Sequence, residues 1–168
     1  MITPEQREKI RAELRDDPME MTVQIAKRLG VPEAEVIREL PDGRGVELDI
    51  TRWQELFAAF EPLGDVHVIV SNTVTTCEVV GTFGGFSTWG EFFNVQSGSL
   101  DLHIRFGRLA SAWAVEKPGH TGGGRTLSVQ FYDADGNAAL KVFVNFTGKP
   151  TPQRVAAFEA IRTGFRRA

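Results

Sequence analysis

The chain has 168 residues, 42% of them hydrophobic and 24% charged, which suits one globular domain with a real core and excludes a disordered chain. Its formal net charge of −3 argues against a nucleic-acid partner, and its single cysteine, Cys77, excludes an internal disulfide framework or a thiolate metal cage. The N-terminal MITPEQREKI is charged and has no apolar signal core, and the apolar runs are far shorter than a membrane span, so no membrane insertion and a cytoplasmic location are expected.

Helices come first. Thr3 is a good N-cap, Pro4 suits the first helical position and Gln6 completes a capping box, with Ile10 and Leu14 as a thin apolar stripe. A second helix follows with Val23, Ile25, Ala26 and Leu29 facing inward, and Gly30 turns the chain. Pro32 opens a third, with Val36, Ile37 and Leu40 inward, closed by Pro41-Asp42-Gly43. Another helix is predicted after Thr51 as cap and Gln54 as capping-box partner; Trp53, Leu56, Phe57 and Phe60 fall at i, i+3, i+4, i+7 and mark a wide core face. The pattern then changes to strands, predicted over 66–70, 75–82, 91–95, 102–106, 109–115, 127–132 and 139–144. Phe106-Gly107-Arg108 and Ala134-Asp135-Gly136-Asn137 read as hairpin loops. A last helix starts at Thr151-Pro152 and carries Val155, Phe158, Ile161 and Phe165 inward.

The fold class is therefore α+β: N-terminal helices of helix-turn-helix character, a large antiparallel sheet and a C-terminal helix. One domain is expected over 1–168, helical through 63 and sheet plus helix from 64. The helix-turn-helix character does not carry DNA recognition, because Glu33 and Glu35 stand where a DNA reader presents cationic or amide groups. Gly119–Thr126, GHTGGGRT, is one residue from a phosphate-binding loop, but the following LSVQFYD alternates like a strand, whereas that loop must open a helix. A glycine-rich surface loop is the better reading.

The most informative stretch is 100–115, LDLHIRFGRLASAWAV. Leu102, Ile104 and Phe106 take one face of a strand; Asp101, His103 and Arg105 take the other. An imidazole that can ligate a metal then lies about 6.7 Å along the strand from a guanidinium that can hold a carboxylate. The same alternation also fits a plain hairpin with a solvated outer face. The other histidines are His67, in a strand, and His120, in the glycine-rich loop; none of the three shows HxxH spacing.

The ordered set IAKRLGVPEAEVIRELP, GDVHVIVSNTVTTCEVVG, EFFNV followed by LHI, LSVQFYDADGNAALKVFV and FEAIR resembles the cytosolic haem-carrier family of the HutX/ChuX type, itself similar to one half of the larger haem-degrading HemS/ChuS proteins. The resemblance covers nearly the whole chain. It implies a saddle-shaped sheet, a homodimer and a haem site with two histidine positions. One matches His103; the other falls on Ser71, a poor haem ligand, so one strong protein ligand is expected. It further implies an intracellular carrier of non-covalently bound haem b, with His103 on the iron and Arg105 on a propionate. Trp89, Phe92 or Trp113 would cover the porphyrin. His120 would either swing over the bound haem or leave that side open, and the open site is expected. The alternatives are a ring-opening enzyme of the HemS/ChuS type, a helix-turn-helix regulator, or a relative that has lost haem.

Overall fold

The computed structural model describes residues 2–72, 74–119, 124–144 and 149–168. His120 and most of the glycine-rich loop lie outside the described residues. Three helices lead: α1 (Pro4–Asp16), α2 (Thr22–Leu29) and α3 (Glu33–Arg38). The α1 capping box forms as expected, Gln6 donating its backbone N–H to Thr3 Oγ1 at 3.1 Å and Thr3 donating its own to Gln6 Oε1 at 2.8 Å. Gly30 ends α2 in the left-handed region. A short strand, β1 (Gly45–Leu48), comes next, inside the portion expected to be wholly helical. Then α4 (Trp53–Ala58) follows a 3₁₀ turn. The cap there is Asp49: its carboxylate accepts from the Thr51 backbone N–H at 3.0 Å and from the Thr51 hydroxyl at 2.6 Å, which corrects the expectation that Thr51 itself caps. A carboxylate is the stronger acceptor and takes the Thr51 hydroxyl with it.

The remaining strands are β2 (Asp65–Ser71), β3 (Thr76–Thr82), β4 (Phe86–Trp89), β5 (Phe92–Gln96), β6 (Asp101–Arg105), β7 (Ser111–Pro118), β8 (Arg125–Tyr132) and β9 (Ala138–Phe143); α5 (Pro152–Gly164) closes the chain. Among the described residues they form two antiparallel sheets, a large one in the order β1-β7-β8-β9-β2-β3 and a small one in the order β4-β5-β6. Phe106-Gly107-Arg108 is consequently not a hairpin loop. It forms a 3₁₀ turn that carries the chain from β6 in the small sheet to β7 in the large one. The Ala134–Asn137 turn does join paired strands, β8 and β9. The chain enters the small sheet at Gly85, whose φ is +68°; a Cβ there would lie 1.9 Å from the Gln96 carbonyl oxygen, so only glycine fits.

The large sheet is covered on both faces over β7 and β8. One face meets the small sheet, α4 and α5, and buries Phe57, Phe60, Phe83, Val95, Val129, Phe131 and Phe158 completely. The other receives the three leading helices, where Ile10, Ile25, Val36 and Ile37 pack with Trp113, Val115 and Tyr132. Glu33 is 6% exposed, and its carboxylate accepts from Lys141 Nζ and Thr22 Oγ1, each at 2.6 Å. Burial, and next to it the Glu33 charge, push the Tyr132 phenol well above its ordinary value, which keeps it a donor to Gln130 Oε1 at 2.6 Å. The start of α3, the end that a DNA reader would offer to the groove, is thus turned into the sheet. Duplex DNA titrated at low salt is expected to show no salt-sensitive, sub-micromolar binding; such binding would contradict this docking.

Candidate functional site

The small sheet presents an outward face built row by row. Residues directly opposite one another in antiparallel strands share a face. Trp89 pairs with Phe92 and Phe92 with Arg105; in the next row Ser87 pairs with Asn94 and Asn94 with His103; beyond it Gln96 pairs with Asp101. Four residues expected from the sequence at the site, Trp89, Phe92, His103 and Arg105, therefore stand in two adjacent rows. The inward partners Phe93, Val95, Leu102 and Ile104 face the core. This is the alternation read in 102–106, now seen to extend across three strands.

The face is open and has both aromatic and cationic character. Trp89 is 77% exposed. The His103 side chain is 56% exposed and meets Phe92 edge to face at 6.3 Å between ring centroids. The Arg105 guanidinium lies 5.2 Å from the centre of the Phe92 ring and 3.5 Å from a Glu91 carboxylate oxygen. His103 Nδ1 stands 2.8 Å from Asn94 Oδ1, whereas Nε2 has only the Asp101 carboxylate at 3.6 Å, too long for a hydrogen bond.

Beside β6, the edge strand of the small sheet, runs a cleft of about 430 Å³, within the ~300–1,000 Å³ of ordinary small-molecule sites. Val70, Leu102, Ile104, Leu109 and Leu140 give it apolar walls, and His103, Arg105, Phe92 and Arg108 also line it. Asp133 reaches the cleft too, but its carboxylate is committed to the β8–β9 turn, accepting from the Asn137 and Asp135 backbone N–H groups at 2.9 and 3.0 Å. The Arg108 guanidinium makes no ion pair among the described residues. Apolar walls, an accessible imidazole and two guanidiniums on one rim form a donor set that fits haem, with its flat apolar ring, its iron and its two carboxylates. Among the described residues no group of three or more His, Cys, Asp or Glu is placed to hold a metal ion.

Two expected residues stand elsewhere. Trp113 is 3% exposed, beneath the leading helices, with Arg38 stacked 5.1 Å from its ring centre, and it does not reach the cleft. Ser71 lies at the end of β2, where Val66 and Val68 face the core, so alternation puts Val70 on the cleft side and Ser71 on the reverse. Its hydroxyl pairs with Thr76 Oγ1 across the β2–β3 ladder. His67 shares that reverse face, with Nε2 3.0 Å from Glu78 Oε2. Asn94, Ser87, Arg108 and Val70 were not expected at the site. Only Arg108 carried a signal, a second guanidinium just past Arg105 in the turn that follows β6.

The sequence profile described as haem utilisation ChuX/HutX matches residues 46–161. Hemin transport protein HemS of Yersinia enterocolitica is 29% identical over 137 residues, covering 77% of this chain and 37% of that protein. Hemin transport protein HmuS of Yersinia pestis is 30% identical over 128 residues, covering 71% and 34%. The chain thus spans about a third of the length of these relatives. A solved structure from Agrobacterium tumefaciens is similar with a TM-score of 0.84 at 25% identity, covering 96% of this chain and 92% of that one. The heme degrading enzyme ChuS of Escherichia coli O157:H7 shares the fold with a TM-score of 0.78 at 23% identity, covering 97% of this chain and 47% of that one. With the profile matched over more than half of its length, the chain belongs to the haem utilisation ChuX/HutX family.

Proposed function

We propose that this protein binds haem at the His103 face of the small sheet and carries it inside the cell, as a homodimer without ring-opening chemistry of its own. One observation carries the reading: an accessible imidazole stands between an aromatic row and an apolar cleft, with two guanidiniums at the rim. In this reading His103 ligates the iron. Trp89 and Phe92 would pack against the apolar ring, and Leu102, Ile104 and Leu109 would keep water from it. Arg105 and Arg108 take the propionates; Arg108 has no ion pair to give up among the described residues, whereas Arg105 must exchange Glu91. Covalent haem attachment of the c type needs a C-x-x-C-H motif, and a chain with one cysteine has none, which supports haem b held non-covalently.

In this reading His103 would be the one protein ligand to the iron. His67 and Ser71 lie on the reverse face of β2, turned away from the cleft. Titration of the purified protein with hemin is expected to give a saturable Soret shift, and the ferric complex a largely high-spin electron paramagnetic resonance signal. Absence of saturation overturns the haem reading. A dominant low-spin, two-imidazole signal that vanishes in His120→Ala overturns the single-ligand assignment. Molar mass in solution, by light scattering, tests the homodimer.

A further inference from the structure

The outward face of the small sheet carries an open chain of five polar side chains, running from His103 through Asn94, Ser87 and Gln96 to Asp101. His103 Nδ1 lies 2.8 Å from Asn94 Oδ1, and Asn94 Nδ2 lies 3.0 Å from Ser87 Oγ. Ser87 Oγ lies 3.5 Å from Gln96 Oε1 and Gln96 Nε2 lies 3.2 Å from Asp101 Oδ1; that carboxylate stands 3.6 Å from His103 Nε2, too far to bond it. The direction of the four bonds along the chain follows from its acidic end. An ionised carboxylate only accepts, so Gln96 must present its amide N–H to Asp101 and its carbonyl oxygen to Ser87. The Ser87 hydroxyl then donates to Gln96 and accepts from Asn94. Asn94 is left with its carbonyl oxygen facing His103, so Nδ1 must carry the proton, and Nε2 keeps its lone pair.

We propose that Asn94, oriented through Ser87 and Gln96 by the Asp101 carboxylate, is a positioning residue that holds His103 in the Nδ1–H tautomer with Nε2 ready to ligate; the consequence for haem rests on the haem reading above. Two features give the device its strength. Asn94 is 7% exposed, so water competes poorly for the bond to His103, and the row Ser87–Asn94–His103 is in cross-strand register, so the backbone ladder fixes the spacing. Left in water, a neutral histidine side chain favours the opposite tautomer, with the proton on Nε2. The chain of hydrogen bonds therefore reverses the intrinsic preference and prepares the ligand before anything binds.

The test reads the tautomer directly, in protein without haem, by long-range ¹H–¹⁵N correlation of the imidazole above pH 8. Wild type is expected to show His103 protonated on Nδ1. Asn94→Leu, which removes the acceptor, and Ser87→Ala, an exposed change that does not threaten the fold, are expected to move the proton toward Nε2. Asn94→Asp keeps an acceptor and is expected to retain the wild-type tautomer. In parallel hemin titrations, Asn94→Leu is expected to bind roughly 10–100-fold more weakly, as other outer partners of ligating histidines do, with Asn94→Asp rescuing. A wild-type imidazole protonated on Nε2, or an unchanged tautomer in both Asn94→Leu and Ser87→Ala, overturns the proposal. So does a shifted tautomer in Asn94→Leu with wild-type hemin affinity. Failure of the haem reading shows separately, as a hemin titration indifferent to His103→Ala while the tautomer results stand.

Discussion

His103→Ala is expected to weaken hemin binding more than tenfold, about 1.4 kcal/mol or more, while the unfolding midpoint stays near that of wild type. The binding loss follows from removal of the one imidazole that stands on the aromatic face among the described residues. The small change in stability follows from exposure: the side chain is 56% exposed, so its removal lets water reach the Asn94 carbonyl oxygen that it leaves. His67→Ala is the matched control. His67 stands on the reverse face of β2 against Glu78, out of reach of the cleft, and its loss is expected to leave the titration curve unchanged. Arg108→Ala should fall between the two, because one rim cation contributes a single charge-assisted contact and Arg105 remains. Superimposable titrations for wild type and His103→Ala would remove His103 from the iron.

Much of this was legible in the sequence because the relevant signals are local. The α1 cap needs only Thr3 and Gln6, and the alternation of Leu102, His103, Ile104 and Arg105 needs only one strand. The two strands that the sequence pattern does not predict, β1 and β4, are four residues each, too short for period two to stand out from chance. Trp113 was misplaced for a different reason. Ala112 through Val115 are buried without interruption, because β7 has the core on one side and the leading helices on the other. A strand covered on both faces shows no alternation, so its sequence does not say which way the tryptophan points. Ser71 aligned with a ligand position by sequence order, yet alternation from Val66 and Val68 turns it to the reverse face. Asn94 was invisible in principle. Its meaning lies in its register with Ser87 and His103, and register across three strands is not written in any one of them.

The largest stability effect is expected from a residue that never touches the cleft. Phe57 is fully buried on α4, and its ring lies 5.0 Å from Phe131 of the large sheet, 5.4 Å from Phe93 of the small sheet, 5.6 Å from Phe83 and 5.8 Å from Trp53. It is where the two sheets and the helix meet. A six-residue helix does not hold itself together in water, so α4 keeps its place through this packing. Phe57→Ala removes the ring and leaves a cavity walled by other rings that cannot collapse into it, and about 3–5 kcal/mol of destabilisation is expected. That is a large part of the ~5–15 kcal/mol that holds a domain folded. The loss reaches the site as well. Phe93, which stacks on Phe57, sits on β5 between Phe92 and Asn94, so a small sheet freed from its anchor loses the register that sets Phe92, Asn94 and His103 in their rows. Urea unfolding of Phe57→Ala should show a midpoint well below wild type, and hemin affinity should fall although no cleft residue has changed. Trp89→Ala should do the reverse, lowering hemin affinity with little change in midpoint, since Trp89 is 77% exposed. A Phe57→Ala midpoint within the error of wild type would mean that the two sheets are joined by other contacts.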